Sequence, residues 1–400
     1  MTGAMNKPRF EGRRVKLEEV CEIRSGGTPK RSVLEYWQDG TIPWVKISDM
    51  KGKYVCSTEE CITESGMSNS SAKLFEKGTI LYSIFASIGE VGILKIPAAT
   101  NQAIAGFRVK DEYKGSVDRD YLYHWLRSRK ALSKHSGRGA AQNNINLSIL
   151  KSMELELPAI GDQRCIAAQF ERVARLEEGV CNQLAALDDL RKSRFIEMFG
   201  DPVGGNAWPM RQLNELYRVG SSKRIYAKDL VKGGVPFYRL ADVGCLADGT
   251  NPSVDSYITE ERYAGLKAAG YVPGADDILV TSRGTLGKCY IVSGEDKFYF
   301  QDGMITWLAR TGMSPRSRYL VALFSNNSFA KNLSDSCSGT TVRYLSISDL
   351  AKMRIPVPPM DLQDKYLAFV RQVDKLESAA RASIDRLQTL YDSLAQEYFG

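Results

Sequence analysis

The chain repeats its own punctuation at half its length. Gly139, Ser148, Leu150, Met153, Pro158 and Gln163 lead into a long helix-like stretch that closes on Glu197, Phe199 and Gly200. The same residue types return 200 positions later as Gly339, Ser348, Leu350, Met353, Pro358, Gln363, Glu397, Phe399 and Gly400. Self-similarity at one fixed period means that a structural unit has been built twice. Four hundred residues leave room for two domains of ordinary size, each with its own core.

After Pro158 and Pro358 the turn signals disappear and an apolar seam takes over. Ile166, Phe170, Val173, Val180, Leu184 and Leu187 recur at spacings of three, four and seven; Tyr366, Val370, Val373, Ala380, Ile384, Leu387, Leu394 and Tyr398 keep the same phase. That pattern predicts two long helices that pack side by side. At 1.5 Å per residue each would be on the order of 55 Å long. Such seams suit a coiled-coil homodimer. Taken alone the seams favour that reading over an antiparallel pair within one chain, but the position of one helix after each module favours the second arrangement, a spacer between modules.

Each module reads as short strands broken by Gly, Pro, Ser and Asn. Ile42 to Asp49 aligns with Val235 to Asp242 and predicts a strand in both copies, carrying Lys46 and Arg239. The triplets Ile62-Thr63-Glu64 and Ile258-Thr259-Glu260 follow. Ile80 to Gly89, containing Ser83 and Ser87, aligns with Ile278 to Gly287, containing Ser282, Arg283 and Thr285 and followed by Lys288. Strand, glycine turn and strand form either a tight hairpin or a loop that lets backbone and hydroxyl groups approach a ligand. Asn101 and Gln102 in one copy, and Gln301 in the other, come next. Amides pair bidentately with adenine, and they are also ordinary turn formers.

Polar segments precede both helices, with Arg138, Gln142, Asn143 and Asn144 in the first copy and Thr341, Arg343 and Tyr344 in the second. Near the module starts stand Thr28, Lys30 and Arg31, and Ser222, Lys223 and Arg224. Basic residues beside hydroxyls and amides suit phosphate contacts. The 54 Lys and Arg against 47 Asp and Glu give a formal charge of +7, compatible with a polyanionic partner.

Other chemistries lack their material. The chain has only two histidines, and its eight cysteines include no Cys-x-x-Cys pair, which reads as free thiols in a reducing cytosol. No Gly-rich loop ends in Lys-Ser or Lys-Thr for ATP. Asn251-Pro252 is not followed by the aromatic that an amino-methyltransferase pocket needs. Gly200 to Gly205 reads as a linker. No apolar run is long enough for a membrane span.

These residues resemble the specificity subunit of type I restriction-modification systems over almost the whole length. The resemblance rests on Leu17-Glu18-Glu19-Val20 leading to Ser25-Gly26-Gly27-Thr28-Pro29, on the Ile42-Pro43-Trp44 to Asp49 segment, on the Ser-x-x-Gly turns, and on Pro158 or Pro358 followed by Gln163 or Gln363. The second copy departs at its first loop, where Gly220-Ser221-Ser222-Lys223 replaces Gly-Gly-Thr-Pro.

The resemblance implies an α+β chain with two α/β target-recognition domains of short twisted sheets (13–158 and 201–358). Two long antiparallel helices (159–200 and 359–400) would form an intramolecular coiled coil with a pseudo-two-fold repeat. It implies a non-catalytic cytoplasmic subunit that reads a split, asymmetric duplex. Two modification subunits would carry S-adenosylmethionine, and restriction subunits would bring ATP and magnesium. The competing readings are a homodimeric coiled-coil scaffold without DNA specificity and a stand-alone enzyme fragment. The residues named above are the expected DNA contacts.

Overall fold

A computed structural model describes residues 12–85, 87–135, 145–204, 208–284, 286–335 and 344–400. The chain divides into two compact units, Met1–Asn182 with Arg381–Gly400, and Gln183–Ala380. The division cuts through the two longest helices, Ile160–Phe199 and Met360–Phe399, each of 40 residues. Each unit therefore holds one module, the first half of one long helix and the last part of the other.

In the first unit Arg13–Lys16 pairs antiparallel with Glu154–Leu157, zipping the start of the module to its end. The next residues, Leu17–Val20, form a single helical turn that buries Leu17 and Val20. The main sheet has spatial order Cys21–Ser25, Ile104–Val109, Ile80–Ser83, Val91–Leu94, Tyr54–Val55. A second sheet places Ile42–Val45 between Glu60–Ile62, antiparallel, and Ala98–Thr100, parallel. The helix Arg119–His135 contributes Tyr121, Leu122, Trp125 and Leu126 to a core shared with Phe170, Tyr391 and Phe399.

The second unit repeats this plan. Met210–Gln212 zips to Arg354–Pro356, and Leu213–Leu216 makes the single turn. The main sheet runs Tyr217–Gly220, Ile305–Arg310, Ile278–Thr281, Cys289–Ile291, and the second sheet sets Val235–Tyr238 between Tyr257–Ile258 and Tyr299–Phe300. Its core joins Tyr319, Leu320 and Leu323 to Phe195, Phe199 and Tyr366.

The expected strands at 42–49 and 235–242 are shorter than their alternation suggested. Both stop after four residues and turn into helical structure, Ile47–Asp49 and Leu240–Ala247. The cause is a side chain: the Lys46 and Arg239 amides donate to the Asp49 and Asp242 carboxylates, each at 2.8 Å, which caps a helix rather than extending a strand. The repeated Thr63 and Thr259 cap as well, accepting from the amides of Gly66 at 3.0 Å and Arg262 at 3.2 Å.

The Pro-x4-Gln motif also has a structural job. Gln163 and Gln363 are 0% exposed. Gln163 Nε2 donates to the carbonyls of Ser116 and Pro158, and its Oε1 accepts from the Asp118 amide, all at 2.8 Å. Gln363 does the same with the Pro358 carbonyl at 2.8 Å and the Arg316 amide at 2.7 Å. One buried amide thus ties each long helix to the start of the helix that follows the module's main sheet.

Within each unit the long-helix segments make specific contacts. In the first, Phe170 lies 5.2 Å from Phe399 and 5.0 Å from Tyr391 between ring centroids. In the second, Arg191 meets Asp374 at 3.2 Å and Glu377 at 2.7 Å, while Phe195 and Phe199 both meet Tyr366. Rising numbers meet falling ones, so the segments there are antiparallel.

Candidate nucleic-acid interface

Two loop clusters in each unit hold several of the predicted contact residues. In the first cluster the loop after the first main strand packs on the loop after the strand that pairs parallel with Ile42–Val45 or Val235–Tyr238. In the first unit the amides of Gly26 and Gly27 donate to the carbonyls of Ile104 at 3.1 Å and Thr100 at 2.9 Å. A Cβ on Gly26 would lie 2.0 Å from Thr100 Oγ1, and one on Gly27 2.3 Å from Ser71 Oγ, so this approach requires glycine. Beyond it, the Thr28 hydroxyl donates to Gln102 Oε1.

The second unit reaches the same arrangement by other chemistry. There the hydroxyls of Ser221 and Ser222 donate to the carbonyls of Ile305 at 3.0 Å and Phe300 at 2.7 Å, and Arg224 Nε binds Asp302 at 2.7 Å. The departure from Gly-Gly-Thr-Pro is thus a replacement of backbone donors by side-chain donors.

The second cluster is a hairpin turn. Ser83 Oγ accepts from the Glu90 amide at 2.8 Å and donates to the Ser87 carbonyl; Thr281 Oγ1 accepts from the Lys288 amide at 3.0 Å. Gly89 and Gly287 take positive φ of 87° and 77°. The next residue is pinned on both sides: Ile84 to Ala103 at 2.8 Å and Ile145 at 3.3 Å, Ser282 to Met304 at 3.0 Å and Leu345 at 2.9 Å. The turn therefore abuts the segment that precedes the long helix in both units, and Arg283 forms an antiparallel bridge with Tyr344.

Several expected contacts are corrected by this geometry. Ser83, Ser222 and Ser282 are buried, with their hydroxyls committed to Ser87, Phe300 and Thr306, because each closes a turn or sheet edge. Asn101 Oδ1 accepts from the Ala103 amide at 3.0 Å, the turn role of asparagine. The Gln301 main-chain N–H donates to the Tyr238 carbonyl at 2.9 Å, which leaves its half-buried side chain uncommitted among the described residues.

Most of the basic candidates are already paired. Arg31 binds Glu60 and lies 3.6 Å over the Trp37 ring and 4.9 Å from Trp44. Lys46 meets Glu60 at 2.8 Å and Glu59 at 2.9 Å, which hold its ammonium above the usual lysine value. Hydrogen bonds from Arg31 first, then Lys46, hold Glu60 below the usual carboxylate range. Arg239 meets Ser256 at 2.8 Å, Lys288 binds Asp248, and Lys223 lies 5.5 Å over Tyr271.

A cation spent on a carboxylate adds little to an electropositive surface. The side chains of Lys30 and Arg283 are exposed and make no ion pair or hydrogen bond with a described residue. Ser87, Gln102 and Tyr344 are exposed as well. Arg138, Gln142, Asn143, Asn144, Thr285, Thr341 and Arg343 lie outside the described residues.

One exposed residue escaped sequence reasoning. Phe85 occupies the turn position equivalent to Arg283 and is 40% exposed. The repeat alignment carried that signal, but an aromatic at this place reads as core until the fold turns it outward.

Away from these loops the first unit holds a half-buried charge cluster. His124 Nε2 lies 2.8 Å from Glu171 Oε1; Lys53 binds the same carboxylate and meets Asp120 at 2.9 Å. Burial above all pushes His124 below its usual value, so it is a neutral donor at pH 7. Its hydrogen bond, then that of Lys53, lowers Glu171 to about 2. No helix in the described residues is long and apolar enough to cross a membrane.

The comparisons agree on one family. The sequence model of the type I restriction modification DNA specificity domain matches residues 12–186 and 206–386, once per unit of the repeat. The specificity subunit of the type I restriction enzyme MjaIX from Methanocaldococcus jannaschii is 25% identical over 381 residues, covering 89% of this chain and 85% of the relative. That of EcoprrI from Escherichia coli is 20% identical, covering 91% and 88%. A solved chain from a study of complex assembly and conformational transition of the type I R-M system shares the fold, with a TM-score of 0.58, 18% identity and 98% of each chain covered. With two matched domains spanning most of its length, the chain belongs to the type I restriction modification DNA specificity domain family.

Proposed function

We propose that this chain is the DNA-reading subunit of a type I restriction-modification complex, in which each module reads one half of a split, asymmetric duplex target. The observation that carries this reading is a scaffold built twice with unlike exposed side chains at equivalent loop positions. Phe85 in one copy and Arg283 in the other are exposed at the same turn position, and the loops around them expose Lys30, Gln102 and Ser87 in the first copy and Lys223 and Tyr344 in the second. Scaffolds of one plan place such residues similarly on a duplex, and different residues select different bases.

The two long helices act as an intramolecular antiparallel coiled coil that sets the unread gap. The long-helix segments leave leucines exposed in both units, Leu176 and Leu390 in the first and Leu190 and Leu376 in the second. Leu176 and Leu376 are 53% and 57% exposed, and Leu190 and Leu390 are exposed too.

Exposed leucines at equivalent positions of the two helices suit two copies of one partner. We assign them to two modification subunits that bring S-adenosylmethionine, with restriction subunits supplying ATP and magnesium chemistry. The chain itself is read as non-catalytic and cytoplasmic.

The test is selection of duplexes from a randomised library by the full chain with its modification subunits. The expected result is one two-part sequence with a constant gap, bound with an affinity that falls steeply as salt rises. Recovery of no preferred sequence would overturn the reading.

A further inference from the structure

We propose that the two equivalent turn tips read their half-sites by different chemistry. Phe85 would recognise a thymine through its 5-methyl group, and Arg283 a guanine through its O6 and N7 acceptors. The inference rests on the DNA-reading function proposed above and deepens it.

The two tips are one device. In both, a hydroxyl at the end of the strand (Ser83 or Thr281) accepts from an amide seven residues on, a positive-φ glycine closes the turn, and the residue before the tip is held by two backbone hydrogen bonds. Ile84 and Ser282, immediately before the tips, are buried, while Phe85 and Arg283 are exposed. A residue pushed outward from a locked stalk is presented at a fixed place, and fixed placement is what base reading needs.

Neither side chain is held by a charged or aromatic side chain among the described residues. Phe85 stacks on no described aromatic residue, and Arg283 contributes only its backbone to the bridge with Tyr344. Phe85 is 40% exposed, so part of its ring stays uncovered at the tip of a fixed stalk, which suits a ligand that covers it.

In the major groove only thymine offers an apolar group, and a planar fork of donors matches guanine. An uncharged tip gains nothing from phosphates, so Phe85 is no phosphate anchor, whereas Arg283 alone would leave that choice open. The comparison between copies is what separates reading from anchoring.

The experiment uses the full chain with its modification subunits and the duplex recovered by selection. Each thymine of both half-sites is replaced in turn by deoxyuridine, which lacks only the methyl group. The wild type should lose about fourfold in affinity at one thymine of one half-site, the worth of one buried methyl group. Phe85→Ala should bind the parent duplex more weakly and be insensitive to that replacement. Arg283→Ala should lose tenfold or more in discrimination at one guanine of the other half-site.

Phe85→Arg keeps the exposed position and should shift preference at the Phe85-dependent base pair toward guanine. A deoxyuridine scan that is flat for the wild type, or a sensitivity that Phe85→Ala retains, overturns the inference while leaving the DNA-reading function standing. Absence of any selected duplex overturns that function instead.

Discussion

Replacing Gln163 by alanine tests whether the family's Pro-x4-Gln motif holds the molecule together or touches DNA. The side chain is 0% exposed and makes three hydrogen bonds of 2.8 Å, all to main chain. Truncation removes all three and leaves the Asp118 amide and two carbonyls without their partner. Asp118 itself caps the helix Arg119–His135, accepting from the amides of Asp120 and Tyr121 at 3.0 Å, so the loss loosens that helix start as well.

Orphaned buried groups cost about 1–3 kcal/mol each when no water reaches them, and relaxation recovers part of that. A total of about 3–4 kcal/mol follows. For a unit of this size that lowers the Tm by roughly 6–16 °C. Gln363→Ala breaks two such bonds, to Pro358 and Arg316, and should cost about two thirds as much. Differential scanning calorimetry of the full chain measures both, and hydrogen exchange should localise the first loss to residues 119–135 and 160–170. Gln163→Glu should be as damaging as alanine, because an ionised carboxylate cannot donate to the two carbonyls. A loss below about 1 kcal/mol, or unchanged stability with lost duplex binding, would refute the clamp.

Inserting four residues after Asn182 and four after Ala380 should lengthen the gap between half-sites by about one to two base pairs, since it adds ~6 Å of rise. Methylation mapping of the complex would show both half-sites unchanged, and a constant gap would defeat the spacer. Acid should weaken the first unit. Glu171 is lowered from 4.5 to about 2, so its contribution is present above pH 4.5 and fades as pH falls toward 2. His124 is held neutral, so stability declines already below pH about 6.5, where the unfolded chain takes up a proton that the folded one refuses. Urea midpoints from pH 7 to pH 4 should fall for the wild type and flatten for His124→Phe; parallel curves would rule this out. Exchanging residues 13–158 for the module of another family member should change one half-site only, as read by the same mapping.

The repeat and the two long helices were legible because they depend on periodicity, whereas alternation marked where the strands at 42 and 235 begin but not where they end. Ile166, Phe170 and Val173, with Tyr366, Val370 and Val373, keep their apolar phase and are buried. Less legible were the capping side chains. Asp49 and Asp242 end strands whose alternation continues past them, and an acceptor three residues ahead competes with extension in a way that apolar patterning does not register. The Pro-x4-Gln motif was visible as a signature, but its purpose was hidden, since its partners Ser116 and Asp118 lie some 45 residues away in the chain.

For the candidate contacts the residue types were a poor guide to availability. Serines near glycines look like ligand donors, yet Ser83, Ser222 and Ser282 close turns. Arginines and lysines look electropositive, yet Arg31, Lys46, Arg224 and Lys288 are paired with Glu60, Glu59, Asp302 and Asp248 from distant strands and loops. Sequence alone determined that one unit is made twice and that each copy ends in a long amphipathic helix, because those properties are periodic and local. Only the tertiary structure decided which hydroxyls and cations remain unspent and that Phe85 faces outward, because pairing and exposure depend on what the fold brings alongside.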